Sequence, residues 1–262
     1  MLNTGFIYTP ETETDYILGG KTELNLPPLR EDGQWLDDLV EEETQRKQFD
    51  SFNCTGEGFT SNLEILMPVT KLLLGGINYS ARALGIAAGT FPPGNSLQKV
   101  ADTVRHKGLV FESYLPFTDE IKTVEEYYSK EALTYPIIKE MEKWVIHYDF
   151  KYEFVFNSRA GVKEKQDAMI EGLKYAPLAG SAYAWIEDND LFVRPAGQQD
   201  NHLTNYVGYK KDSHWWVFDS YPPYLKKVPW DTTPMQAMRF QVARQELKKN
   251  CKLLEYFKEI LK

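Results

Sequence analysis

Apolar positions along the chain follow two different periods. Leu63, Leu66, Val69 and Leu73 recur at three- and four-residue spacing, which predicts a helix beginning near Cys54, with Pro68 kinking or ending it. A second helix is predicted from about Ser96 to Lys107, with Asn95 or Ser96 as cap and Gly108 as stop. A third covers about Ser129 to His147, with Pro136 early in it. Beyond Asp149 the period shortens. Residues 149–156 (DFKYEFVF) alternate polar and apolar as a half-buried strand does. A helix at about 162–174 precedes a series of strand-like runs: SAYAWIE, LFVRP, HLTNYVGYKK, HWWVFDSY and YLKKVPW. The last part, about Pro234 to Lys262, reads as an amphipathic helix. Residues 1–25 read as an arm, punctuated by Pro10 and Gly19-Gly20, with Tyr16-Ile17-Leu18 as its candidate strand. The expected organisation is an arm (1–25), a helical lobe (26–148) and a β-rich lobe closed by a C-terminal helix (149–262). The fold class is α+β.

Composition narrows what such a chain does. Its 262 residues, 42% hydrophobic and 26% charged, suffice for a full core. A formal net charge of −8, with Lys and Arg scattered, argues against a nucleic-acid partner, because phosphate binding needs clustered cations. No stretch approaches the roughly 18 consecutive apolar residues of a membrane span. The N-terminus lacks a basic and then apolar leader, and Cys54 and Cys251 are the only cysteines. The expectation is a cytoplasmic protein with free thiols.

Candidate chemistry gathers at Cys54. With Asn53 as a plausible cap, Cys54 opens the first helix, where the positive end of the helix dipole favours a thiolate. Glu57, one turn on, raises the thiol if it faces inward. Gln48, six residues upstream, carries an amide able to donate to a developing oxyanion. Among the four histidines, His202 starts a strand that leads to a turn at Gly208-Tyr209. The next strand delivers Asp219, seventeen residues on, and antiparallel pairing brings the two side by side. A carboxylate there fixes the imidazole tautomer.

These residues resemble the papain family of cysteine peptidases. Gln48 and Cys54 keep the spacing of that family's oxyanion glutamine and nucleophile, and Leu63-Glu64 is similar to a pair on its central helix. Asn78 to Leu84, Gly94 to Phe117, Ala176 to Trp185, His202 to Tyr209 and Trp215 to Tyr221 resemble further family segments, in order. His202 lies 148 residues after Cys54, within the family's interval of about 130–150. The resemblance implies two lobes, helical and β-barrel-like, with a cleft between them. It implies a peptide or protein substrate, no cofactor and no metal. Cys54 is then the nucleophile, His202 the base, Asp219 the orienter and Gln48 an oxyanion donor. Gly94 and Asn95 fall on a glycine-lined substrate wall, Asn201 and Trp215 are placed on the substrate side, and Trp215 with Trp216 shields the Asp219–His202 contact.

The departures define the alternatives. Asn53-Cys54-Thr55-Gly56-Glu57-Gly58 replaces the Cys-Gly-Ser-Cys-Trp signature, and Asp219 stands where the family has Asn. Gly56 and Gly58 weaken the first helical turn by about 0.5–1 kcal/mol each relative to Ala. They motivate a second reading, a catalytically attenuated scaffold with a binding or virion-structural role. Transamidation or deamidation on the same triad is a third. No HExxH or paired CxxC occurs, and residues 89–96 (GTFPPGNS) lack the lysine of a phosphate loop.

Overall fold

The computed structural model describes residues 5–12, 15, 27–73 and 76–245. Tyr16-Ile17-Leu18 and Cys251 lie outside the described residues. The chain opens with strand β1 (Gly5–Phe6), followed by helices α1 (Cys54–Val69) and α2 (Ala81–Ala88) and strand β2 (Gly94–Asn95). Helices α3 (Leu97–Lys107), α4 (Val124–Tyr127) and α5 (Tyr135–His147) complete the first half. The second half holds β3 (Tyr148–Phe154), α6 (Val162–Leu173), β4 (Leu178–Ala182), β5 (Ile186–Asp188) and β6 (Leu191–Val193). It ends with β7 (His202–Lys210), β8 (His214–Phe218), β9 (Leu225–Pro229) and β10 (Ala237–Arg244).

Local chemistry sets several of these boundaries. The Ser96 hydroxyl accepts from the Lys99 amide and caps α3, and Gly108 ends it with φ +78°. Pro68 sits in the last turn of α1. Helix α5 begins at Tyr135, later than the sequence pattern suggests. Pro136 fixes the reason: without an N–H it fits only the first turn, so the segment before it forms a separate 3-10 turn over Lys130–Ala132.

Six strands form one antiparallel sheet in the order β3-β10-β4-β7-β8-β9. The sheet is open rather than the closed barrel that the resemblance suggests, and the β5–β6 hairpin stands as a separate pair beside β9. The helix expected from about Pro234 is, over Ala237–Arg244, strand β10 between β3 and β4; the rest of that segment lies outside the described residues. Met238, Phe240 and Val242 recur every second residue and all are buried, a strand period that outweighs the amphipathic helix reading. Arg239 on β10 forms an ion pair with Glu153 on β3, both buried.

Helix α1 packs against this sheet and carries the N-terminal half of the core. The rings of Phe59 and Phe240 lie 4.6 Å apart, and Leu63 and Leu66 are buried beside them. A polar clamp fixes the helix against β7: Asn205 donates to the Gly58 carbonyl (3.0 Å) and accepts from Asn62 (2.8 Å). A buried amide pair of this kind specifies register as well as proximity. A second apolar cluster, with Ala83, Ile86, Tyr127, Ile137 and Met141, joins α2, α4 and α5 on the other side.

Candidate active site

Cys54 is the first residue of α1, and the clamp between α1 and β7 brings it to the start of β7. The amide of Leu203 donates to Cys54 Sγ at 3.3 Å, so the thiol sits against the residue that follows His202. Register does the rest. Asn205 pairs with Phe218, and the chain leaving β8 runs back alongside the beginning of β7. His202 Nε2 and Asp219 Oδ1 are 2.5 Å apart, with both side chains completely buried. The ring of His202 lies between Trp185 and Tyr221, at 5.5 and 5.3 Å between centroids. On the far side of Asp219, Lys226 donates to Oδ2 at 2.8 Å, again with no exposed side-chain surface.

Burial dominates the electrostatics. It pushes the Cys54 thiol well above its ordinary range, against the Leu203 amide, which pulls the other way, and Asp219 and Asp50 add to the rise. Glu57, one turn further along the helix, has an electrostatic problem of its own. It is buried, and burial reinforced by Glu43, Glu112 and Glu64 holds its own carboxyl well above the carboxylate range. Burial also works to raise Asp219, but His202 and Lys226 outweigh it and hold the carboxyl below its usual value. The site therefore combines a protonated thiol with an ionised carboxylate.

Several expected site residues are placed otherwise. Asn53 does not cap α1 with its side chain; its Nδ2 donates to the Ala81 carbonyl (2.8 Å) and to Tyr127 Oη (2.9 Å). Gly56 is required rather than a weakness, because a Cβ there would lie 2.5 Å from that Asn53 amide. Gln48 is exposed and donates to the Asp119 carbonyl at 2.9 Å. A surface amide so far along the entering loop finds a backbone partner there, while the buried glutamine of this loop is Gln45. Gln45 donates to Asp50 (3.0 Å) and Tyr221 Oη (2.6 Å) and accepts from Ser220 (2.9 Å). Asn201 Oδ1 accepts from the Ala184 amide at 2.9 Å. Trp215 is fully buried, stacked 4.3 Å from Trp230 and bonded to its carbonyl, which makes it part of the core. Trp185 and Tyr221 take the shielding position expected of Trp215 and Trp216.

Gly94 and Asn95, expected as a substrate wall, are paired with the chain's own N-terminal segment. Strand β1 pairs with β2 in parallel, Gly5 opposite Gly94 and Phe6 opposite Asn95, and the Ile7 amide donates to the Asn95 carbonyl at 2.8 Å. Gly5 and Gly94 have φ of +118° and +130°. A Cβ on Gly94 would come within 2.0 Å of the Gly5 carbonyl, and one on Gly5 within 3.1 Å of the Cys54 amide. Only two glycines allow the arm to lie this close to the thiol-bearing turn. Asn95 braces the turn from below, its Nδ2 donating to Thr90 Oγ1 at 2.9 Å.

Three neighbours of His202 and Asp219 escaped the sequence pattern: Trp185, Tyr221 and Lys226. A signal for Lys226 was present. In Leu225-Lys226-Lys227-Val228 it shares strand parity with buried Val228, so one of the two lysines had to face inward.

No protein-family model matches the sequence, and a search of the curated proteins finds no match. Solved structures do match. Xylellain, a cysteine protease from Xylella fastidiosa, aligns with 94% of this chain and 97% of its own at 13% identity and a TM-score of 0.57. The fold is papain-like. The ragweed pollen cysteine protease Amb a 11, in its proform, aligns over 82% of this chain and 67% of its own at 14% identity, with a TM-score of 0.56. Bromelain from Ananas comosus, bound to the E64 inhibitor, covers 79% and 97% at 14% identity, with a TM-score of 0.54. All three papain-like neighbours are proteases. Among the described residues no helix is long and apolar enough to cross a membrane, and no group of three or more His, Cys, Asp or Glu is arranged to hold a metal ion.

Proposed function

We propose that this protein is a papain-like cysteine peptidase with Cys54 as nucleophile, His202 as base and Asp219 as orienter. One observation carries the reading: the Leu203 amide to Cys54 Sγ contact and the His202–Asp219 contact meet at the start of β7. With Nε2 committed to Asp219, Nδ1 is the nitrogen that takes the thiol proton. Sulfur then attacks the peptide carbonyl carbon, and the imidazolium returns its proton to the leaving amine. Water, deprotonated by His202, releases the acyl group and restores the thiol. The Cys54 backbone amide, at the N-terminus of α1, is the donor for the oxyanion, and such a donor contributes about 2.7–4 kcal/mol.

The test is covalent. An epoxysuccinyl inhibitor should add its mass to the wild-type chain and to no Cys54→Ala chain, and hydrolysis of a fluorogenic peptide library should vanish in Cys54→Ala and in His202→Ala. The complete burial of Cys54 and His202 favours a second reading, a scaffold without catalysis. Absence of labelling both in the whole chain and in a chain starting at Leu26 would select it. The cytoplasmic location expected from the sequence is part of the same proposal.

A further inference from the structure

Asp219 has two partners, and only one of them belongs to the triad. Its Oδ1 meets His202; its Oδ2 meets the ammonium of Lys226 at 2.8 Å. The other two ammonium protons are also placed. Nζ lies 2.5 Å from the Tyr221 carbonyl and 2.6 Å from that of Pro223, so all three donors of the cation are satisfied without water. The rings of Trp185, just before β5, and Phe192, on β6, cover it at 5.0 and 5.5 Å. A lysine is seldom buried unless paired. This one is 2% exposed, on an edge strand where its neighbour Lys227 faces outward.

We propose that Lys226 is a positioning residue of the site, sharing the Asp219 carboxylate so that Asp219 orients His202 as a nearly neutral acceptor rather than as a bare anion. Two consequences follow from the geometry. The carboxylate is held at both oxygens, which fixes the direction of Oδ1 toward Nε2. In addition, a full positive charge on the opposite oxygen, between fully buried side chains, offsets the field that Asp219 exerts on the imidazole. The role in catalysis rests on the peptidase reading of Cys54 and His202; the charge sharing does not. Among the described residues, the other titratable groups around this cluster include Cys54 at the start of α1, Asp50 in the loop before it, Tyr221 after β8, and Tyr128 after α4 with Glu57 beside it. Asp50 is itself tied to Tyr221 and Gln45. Burial lowers the Lys226 ammonium below its ordinary value, and Asp219 offsets part of that fall.

The experiment is a ring-proton NMR titration of His202 in the full-length chain, its signal assigned by its loss in His202→Gln. Lys226→Met should move the midpoint upward by about one pH unit or more, because an unshared carboxylate favours imidazolium. Asp219→Asn should move it downward, because the ammonium remains beside the ring. The double variant Asp219→Asn/Lys226→Met should return to within about half a unit of the parent, the size of a small residual environmental effect. The basic limb of peptide hydrolysis should shift with the ring in each active variant. Since the titration needs no turnover, it reads the charge sharing even in a chain that hydrolyses nothing. An unmoved midpoint in Lys226→Met overturns the proposal, as does a double variant that titrates with Asp219→Asn. If Lys226→Met does not fold, the comparison of Asp219→Asn with the double variant decides alone.

Discussion

Asn53 shows how one side chain can set the backbone around Cys54 without lying next to its thiol. Its carboxamide spans α2 and α4 through the Ala81 carbonyl and Tyr127 Oη, and its backbone hands the chain directly to Cys54. Two helical glycines leave room for it. A Cβ on Gly85 would lie 2.6 Å from Asn53 Oδ1, and the two hydrogen bonds keep the amide from moving aside. On helix propensity alone, Gly85→Ala would stabilise α2 by about 1 kcal/mol. Overpacking costs about 1–3 kcal/mol, so the net outcome expected is destabilisation, read as a lower Tm in thermal unfolding. A Tm at or above that of the parent would mean that Asn53 has another place to go. Asp219 belongs to the same scale. It stands where the resemblance expects Asn, and Lys226 supplies the charge that keeps the exchange nearly neutral.

At the scale of elements, the arm and the sheet compete for attention. Strand β1 is only two residues long, yet the arm it belongs to is tied down on both sides. Gln236 donates to the Thr9 carbonyl (2.6 Å) and to Glu11 (2.8 Å), and Tyr8 donates to Ser158 (3.1 Å). These contacts staple the arm to the β-rich half, while the Gly5–Gly94 crossing lays it over the Cys54 turn. Both effects should appear in a chain starting at Leu26. Its Tm should fall because the staple is gone, and iodoacetamide should alkylate Cys54 at least about tenfold faster near pH 7, because water and reagent reach the thiol and its burial-driven rise is relieved. A truncated chain whose Cys54 reacts no faster would show that the arm does not cover it.

At the scale of the whole molecule, a cluster of buried and half-buried carboxyls sets the pH response. Burial pushes Glu64 up to about 8 against the opposing Tyr79 amide, and Glu112 up to about 7 against the Phe117 amide. The unfolded chain releases these protons near the ordinary value of 4.5. Between that pH and about 8 the folded state binds more protons, so stability falls as pH rises through this window. The Tm should be higher at pH 5 than at pH 8, by about 2–4 °C for each kcal/mol of this linkage. Glu64→Gln keeps an acceptor for the Tyr79 amide and should flatten the profile. An equally steep profile in that variant would assign the effect to other groups.

The helical first half, the strand-rich second half and the nearness of His202 to Asp219 were all written in local pattern. Three- and four-residue spacing after Cys54, alternation after Asp149 and two strands joined by a short turn depend only on neighbours in sequence, and each produced the element expected of it. Strand β10 carried its own alternation, hidden under an amphipathic pattern that two periods both fitted. What local pattern could not decide was every choice made by partners far apart in the chain. Gln48 against Gln45, Trp215 in the core against Trp185 and Tyr221 at the imidazole, and Lys226 turned inward beneath two aromatic rings are such choices. So is the seating of Gly5 on Gly94. The physical reason is common to all of them. A side chain's partner is set by which surface the fold brings against it, and burial then fixes its charge state; sequence spacing limits the candidates, and only tertiary packing selects among them.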